Sequence, residues 1–361
     1  MISFYPGPSR VCDGVPRWTA DAFRKGILSM NHRSEEFMTL VKETTSLLNK
    51  KLRVPKDYTV LFVSSATECW EIIAQSLVAE ASLHAYNGAF GEKWFRYTKK
   101  LVAGSRAHVF DLQKPLVPEM LDMRGADVLC LTHNETSNGT ALAPRLLKEV
   151  RKKFPEAIIA VDATSSMAGI QLDFRQADVW FASVQKCFGL PAGLALLLLS
   201  PRAIAAAGRL GRNDHYNSLS FQVEMIRKNQ TTHTPNVLGI YLLNRSLAAS
   251  PSIRETATHT RKRADAWEKF FQKHPSLSLL VAQKEVRSKT IFTVRTPAES
   301  LLWLKAAAKR KGLLLGEGYG DWKANTFRIA NFPALKPSEI KKLMGFLSHW
   351  QPSKGRGTWK N

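Results

Sequence analysis

Nothing in this 361-residue chain is apolar for long enough to cross a bilayer. Its first residues, Met1-Ile2-Ser3-Phe4-Tyr5-Pro6, have neither the basic start nor the apolar core of a signal peptide, so a cytoplasmic protein with no membrane partner is expected. Cysteine is scarce. Cys12, Cys69, Cys130 and Cys187 are scattered without CxxC spacing, which argues against a disulfide framework or a thiolate metal site. Three of them lie in or beside apolar segments and read as small buried hydrophobes, and no metal is expected. A GxxxxGK[ST] phosphate loop is missing, which argues against a nucleoside triphosphate. Acid is short as well: 52 basic residues against 30 acidic ones leave a net charge of +22. Such a field draws in nucleic acid, anionic membranes, or small phosphorylated and carboxylated molecules. The mild clusters Lys99-Lys100, Arg151-Lys152-Lys153, Arg261-Lys262-Arg263 and Lys309-Arg310-Lys311 come with no nucleic-acid-binding signature. They read as solvated helix faces, and nucleic acid is not expected as a partner.

What the chain does contain is organised around Lys186. It sits between the apolar segment Val179 to Val184 and a Gly/Pro-punctuated turn that leads to a second apolar run, Leu194 to Leu199. Both runs are short and bounded by turn residues, so they read as buried strands. A lysine at the end of such a strand is partly desolvated, which lowers its pKa and frees its amine as nucleophile or base. A loop lysine that reaches solvent is the bland alternative. Upstream, Ile158 to Val161 forms another apolar strand that ends in Asp162. Asp162 could simply cap a helix. A strand-end Asp and a strand-end Lys on neighbouring strands, however, suit pyridoxal 5′-phosphate: the amine condenses with its aldehyde, and the carboxylate pairs with its ring nitrogen.

Other stretches extend the pattern. Ser34 reads as the N-cap of an amphipathic helix running to about Lys51, which places His32-Arg33 where a cation and free backbone donors can hold an anion. The strand Thr59 to Val63 ends at Ser64-Ser65-Ala66-Thr67, before the helix Glu68 to Val78; small and hydroxyl residues there suit a phosphate. Phe90, between glycines, is placed either for the core or to lie flat on a planar ligand. Asp127 to Leu131 is a further strand, ending in the polar loop Thr132 to Gly139, where open α/β sheets place ligand groups. Alternating strands and helices predict a mostly parallel sheet covered by helices. Residues 1–15 read as an extended arm, 16–250 as the large domain and 251–361 as a smaller C-terminal α/β domain. That domain has strands at Thr290 to Val294 and Phe327 to Asn331, helices at Ser300 to Lys311 and Lys336 to Trp350, and a frayed tail from Gln351.

Taken together, Tyr5-Pro6-Gly7-Pro8, His32-Arg33, Ser65-Ala66-Thr67, Asn134-Glu135-Thr136, Asp162 and Gln185-Lys186 resemble the class V aminotransferases of PLP fold type I, in order and over nearly the whole chain. Val54-Pro55, Tyr58 and Val60-Leu61-Phe62 make the phosphoserine aminotransferase branch the most similar. The resemblance implies a cytoplasmic homodimer with shared active sites. Its substrates would be small anionic amino acids and keto acids, here O-phosphoserine with 2-oxoglutarate in serine biosynthesis. It also implies residue roles. Lys186 would carry the cofactor and move the proton; Asp162 would keep the ring nitrogen protonated. Thr136 would bond the ring's phenolic oxygen, and Phe90 would stack on its face. Ala66, Thr67 and Gln185 would hold the phosphate, with Ser65 also in the cofactor site, and His233 and Thr234 would reach that phosphate from the partner subunit. Arg328 would clamp the substrate α-carboxylate, and His32 and Arg33 the substrate phosphate. The branch carries a second His-Arg pair where this chain reads Gly318-Tyr319-Gly320-Asp321-Trp322-Lys323. Three other readings stay open: an alanine– or serine–glyoxylate transaminase, a cysteine desulfurase, and a non-catalytic basic binding protein on the same fold.

Overall fold

The order of elements follows from where the apolar runs fall. The computed structural model describes residues 1–351 and 358–359. In chain order it has β1 (Ile2–Phe4), α1 (Val15–Arg24), α2 (Glu35–Leu52), β2 (Thr59–Val63), α3 (Ala66–Leu77), β3 (Ser82–Tyr86) and α4 (Ala89–Leu101). Next come β4 (Arg106–Val109), β5 (Val128–Thr132), α5 (Leu146–Lys153), β6 (Ile158–Asp162), β7 (Val179–Ser183), β8 (Ala195–Leu199), α6 (Pro201–Leu210), α7 (Leu219–Arg227) and α8 (Val237–Ala249). The chain then runs through α9 (Ile253–Lys273), β9 (Ser278–Leu279), β10 (Ile291–Arg295), α10 (Ala298–Arg310), β11 (Leu313–Glu317), β12 (Thr326–Ala330) and α11 (Pro337–Ser348).

Seven strands form the larger sheet in the order β2-β8-β7-β6-β5-β3-β4. Neighbours from β7 to β4 are parallel, and β8 runs antiparallel to both β7 and β2. Strands buried on both faces need no polar alternation, which is why β6 and β7 read as continuous apolar runs. Side chains still alternate between the faces. Ile159, Val161, Trp180 and Ala182 join the core under α1, α2, α5 and α8, whereas Ile158, Ala160, Val179 and Phe181 face the core under α3, α6 and α7. Crossovers of this kind bring the C-terminal ends of the parallel strands, and with them Asp162 and Lys186, to one edge of the sheet.

The second sheet, β1-β11-β12-β10-β9, packs on α9, α10 and α11 through its own core, which includes Trp267, Phe292 and Phe327. Its first strand is part of the segment expected as an extended N-terminal arm. Ile2, Ser3 and Phe4 pair in parallel with Leu313, Leu314 and Leu315, and Phe4 is fully buried. The alternation Ile-Ser-Phe gives one apolar face to bury, and Pro6 stops the ladder. We propose the domain boundary at residue 250, with β1 counted in the C-terminal unit. The frayed tail expected from Gln351 lies largely outside the described residues.

Local chemistry fixes the helix starts. Ser34 Oγ accepts from Phe37 N at 3.2 Å, and Ser252 and Glu255 form a reciprocal capping box at α9. The basic clusters are not uniformly solvated. Arg151 ion-pairs with buried Asp178 and donates to the carbonyls of Phe154, Pro155 and Ala157. Arg263 is half-buried. Each closes carbonyls that a folded chain would otherwise strand.

Candidate active site

Lys186 is the third residue beyond β7 and is 7% exposed. Its Nζ donates to the Pro6 carbonyl at 3.0 Å and to Thr136 Oγ1 at 3.2 Å, and lies 5.3 Å from the centroid of the Phe90 ring. Gly7 is what lets the N-terminal segment come so close: a Cβ there would stand 2.9 Å from the amine. Burial, aided by repulsion from Arg328, pulls the Lys186 pKa down to about 8. Much more of the amine is therefore unprotonated near neutral pH than in a free lysine, as the sequence suggested.

Asp162 ends β6, directly across the ladder from Phe181 and Thr132. It is 5% exposed, and its Oδ1 accepts from Thr164 N at 2.9 Å. Burial pushes its pKa above the usual carboxylate value, Glu135 adds to the rise, and the positive Lys186 opposes it. Carboxylate and amine feel each other's charge within one enclosed region.

Arg328 comes from β12 in the second sheet. Its Nε donates to Glu317 O at 2.6 Å and its Nη1 to Thr136 O at 2.9 Å. Nη2 makes no hydrogen bond among the described residues. Burial lowers the pKa to about 10, so the guanidinium stays charged. Tyr319 lies 5.2 Å from its Cζ and also meets the Phe90 ring at 5.4 Å. Lys93, one turn along α4 from Phe90, bonds the Tyr319 hydroxyl. Phe90, Tyr319 and Lys93 thus form a roof joining the two sheets. Tyr319 and Lys93 were missed from sequence, since neither belongs to a local pattern.

Glu135 has a part that sequence did not reveal. Its buried carboxylate accepts from Phe90 N at 3.2 Å, Gly91 N at 3.1 Å and Ser137 N at 2.9 Å. It caps α4, whose own N-cap is Gly88 and offers no side chain. A Cβ on Gly88 would sit 2.3 Å from Glu135 Cγ. Asn134 ties this loop to Ser165 at 2.8 Å and receives Ser288 Oγ from the second unit at 2.7 Å.

At the start of α3 the Ala66 N–H is taken by Ser183 Oγ at 2.8 Å, and Ser65 Oγ caps Glu68 N at 3.1 Å. Among the described residues, the N–H of exposed Thr67 has no hydrogen-bond partner. Glu68 stands beside this opening and accepts two bonds from Ser64, each 2.6 Å, so it offsets part of the helix's positive end. Nearby, Gln185 Oε1 is buried without a partner, as is Thr164 Oγ1. Orphaned polar atoms of that kind call for a bound group. A ring with a cationic nitrogen answers Asp162, and a phosphate accepts from Thr67 N; Gln185 reaches that phosphate only through its amide nitrogen, since the orphaned Oε1 is itself an acceptor. The residues present fit pyridoxal 5′-phosphate.

His32, Arg33, His233 and Thr234 form a second group. His32 Nδ1 is 3.4 Å from Thr234 Oγ1, Arg33 Nη1 donates to Gln230 at 2.9 Å, and His233 packs against Tyr216 at 5.5 Å. Burial, with Arg33 and His233, lowers the His32 pKa. Within one chain no hydrogen bond, ion pair or ring contact joins these four to Lys186, Asp162, Thr136, Phe90 or Arg328, among the described residues.

Comparison with known proteins agrees with this geometry. The aminotransferase class V family model matches residues 105–309. The phosphoserine aminotransferase of a Nocardioides species is 26% identical over 88% of this chain and 87% of its own. That of Corynebacterium glutamicum is 25% identical over 94% and 91%. The crystal structure of a phosphoserine aminotransferase from Cytophaga hutchinsonii superposes with a TM-score of 0.91 at 32% identity, covering 96% of this chain and 98% of that one. A strand-end lysine set against a buried carboxylate, on this sheet order and with these relatives, has one reading: the chain belongs to the class V aminotransferases and is a pyridoxal 5′-phosphate-dependent transaminase.

Proposed function

We propose that this transaminase exchanges the amino group of O-phosphoserine with 2-oxoglutarate, giving 3-phosphohydroxypyruvate and glutamate, as a cytoplasmic homodimer serving serine biosynthesis. The observation that carries this reading is the TM-score of 0.91 to a phosphoserine aminotransferase over nearly the full length of both chains. Beside it stands the His32-Arg33 pair, which supplies cationic donors for a phosphate.

When bound, the cofactor supplies a sink for the negative charge left on the substrate Cα. The protein does the rest. Lys186 would hold the cofactor through its amine and, once freed, would take the proton from the substrate Cα. A pKa near 8 suits that work, because the group must both take and give a proton near neutral pH. Asp162 keeps the ring nitrogen protonated, Thr136 donates to the phenolic oxygen, and Phe90 covers one ring face. Ser65, Ala66, Thr67 and Gln185 line the phosphate end. Because the Ala66 N–H is committed to Ser183, Thr67 and Gln185 carry most of that contact. Arg328, held by two carbonyls with Nη2 to spare, receives the α-carboxylate. His233 and Thr234 act across the dimer, and the contact of His32 with Thr234 carries His32 and Arg33 across with them.

One observation favours a second reading, an alanine– or serine–glyoxylate transaminase. Tyr319 occupies the stretch where the phosphoserine branch has its second His-Arg pair. Lys93, hydrogen-bonded to Tyr319, returns a cation to the same roof. Steady-state kinetics decides between the two. With 2-oxoglutarate, kcat/KM for O-phosphoserine should exceed that for alanine or serine by about 10³-fold or more, the discrimination expected when a built anion site is left unfilled. Equal rates with alanine and glyoxylate would overturn the phosphoserine reading.

A further inference from the structure

Behind the turn that carries Lys186, on the side away from Phe90, lies a cavity of about 420 Å³, within the range of small-molecule sites. Both structural units wall it. Leu52, Phe188 and Leu247 come from the larger unit, and Ile253, Pro333 and Leu335 from α9 and the second unit. The lining is mostly apolar, with a one-sided set of charges. Lys51, His259, Lys262 and Arg263 border it, and no acidic side chain does. Glu255, which acts electrostatically on neighbours Lys51 and His259, spends its carboxylate on Ser252.

Arg263 is the decisive group. Its Nη1 donates to Leu335 O at 2.7 Å, and its Nη2 to the carbonyls of Asn331 and Phe332 at 3.3 Å each. Its buried Nε has no partner, and among the described residues it makes no ion pair. Nη2 also reaches Thr260 Oγ1 at 3.5 Å, and a guanidinium in a largely desolvated position with only neutral carbonyls and a hydroxyl for company remains electrostatically uncompensated. Arg151, by contrast, finds Asp178, and Lys289 finds Glu268.

We propose that this cavity is a second ligand site, distinct from the transaminase centre, taking a small carboxylate with an apolar body. The carboxylate completes the charge of Arg263, with Lys262, His259 and Lys51 at the rim, and the body fills the space between Phe188, Leu247 and Leu335. The occupant would touch the back of the catalytic turn: Cys187 and Phe188 line the cavity, and Cys12 N holds Gly189 O at 2.7 Å from its wall.

The test is calorimetric titration of the cofactor-loaded enzyme with octanoate. Binding at one octanoate per chain is expected, undiminished by saturating amino-acid substrate. Octan-1-ol, which has the body without the charge, should bind at least about tenfold more weakly, and R263Q should weaken octanoate by about the same factor, as loss of a charged hydrogen bond requires. T256W, which fills the cavity from a half-buried wall position outside the active site, should abolish binding while leaving turnover intact. It keeps the test decisive should R263Q fail to fold. No binding at millimolar octanoate, equal binding of octanol, unchanged binding in T256W, or competition with the amino-acid substrate would each overturn the proposal.

Discussion

At the scale of the residue, the active lysine is defined by what surrounds it more than by what it is. Burial favours its neutral form, and the Arg328 charge favours it further, so its midpoint falls to about 8 from the ordinary 10.5. The apo-protein should therefore capture pyridoxal 5′-phosphate faster as pH rises through about 8, because only the neutral amine attacks. Arg328→Gln removes one like charge, so the midpoint should move upward. A downward or absent shift, read from capture rate against pH, would contradict this electrostatic account. Asp162 poses the opposite problem, a buried carboxylate whose ionised form is disfavoured until a cation faces it. Asp162→Asn should reduce kcat/KM by about 10²-fold or more, the cost of leaving one member of a buried charge pair alone. Both residues were legible in the sequence because each interrupts the end of an otherwise apolar strand. Glu135 was not. The amides it caps lie 44 and 45 residues away, and nothing in a local window connects an acid to a distant helix start.

Among the elements, the legible ones were those whose hydrophobic pattern was uniform. Strands β6, β7 and β8, buried on both faces, came out within a residue of their bounds. Among the strands that went unread are β3, β4 and β11. β3 carries a buried polar pair, with Ser82 Oγ 3.0 Å from His84 Nε2; β4 is an exposed edge strand; and β11 ends in glycine and glutamate. In each the pattern is diluted by residues whose fate depends on distant partners. The α4 start shows how tightly element and site are joined. Gly88→Ala would drive a methyl into Glu135, displacing the carboxylate that anchors the helix bearing Phe90. A loss of about 1–3 kcal/mol is expected, as for other overpacked sites. It is read by denaturant unfolding, and an unchanged midpoint would show that the loop adapts freely.

For the molecule as a whole, the chain divides its proposed catalytic set into two groups that no hydrogen bond, ion pair or ring contact joins among the described residues. Lys186, Asp162, Thr136, Phe90 and Arg328 draw on both sheets of one subunit, whereas His32, Arg33, His233 and Thr234 cluster apart. Sequence alone shows both groups but not their separation, which depends on how α2 and the segment before α8 are folded against each other. If the second group serves the partner's site, complementation follows. Lys186→Ala and His233→Ala dimers should each be impaired. Mixed and reassociated, they should recover up to about one quarter of wild-type activity, because half the dimers are hybrids with one intact site of two. No recovery on reassociation would place all of these residues within one subunit's site.

We propose that the Lys186 amine, in the same buried region as Asp162, holds pyridoxal 5′-phosphate and moves the proton of an O-phosphoserine bound on Arg328. The most direct test is a single half-reaction, mixing cofactor-loaded protein with O-phosphoserine in the absence of any keto acid and following the cofactor's absorbance. The account predicts loss of the bound cofactor's visible band, with one 3-phosphohydroxypyruvate released per site, and no such change in Lys186→Ala. A band that stays unchanged with O-phosphoserine, or a Lys186→Ala variant that still converts it, would contradict the account.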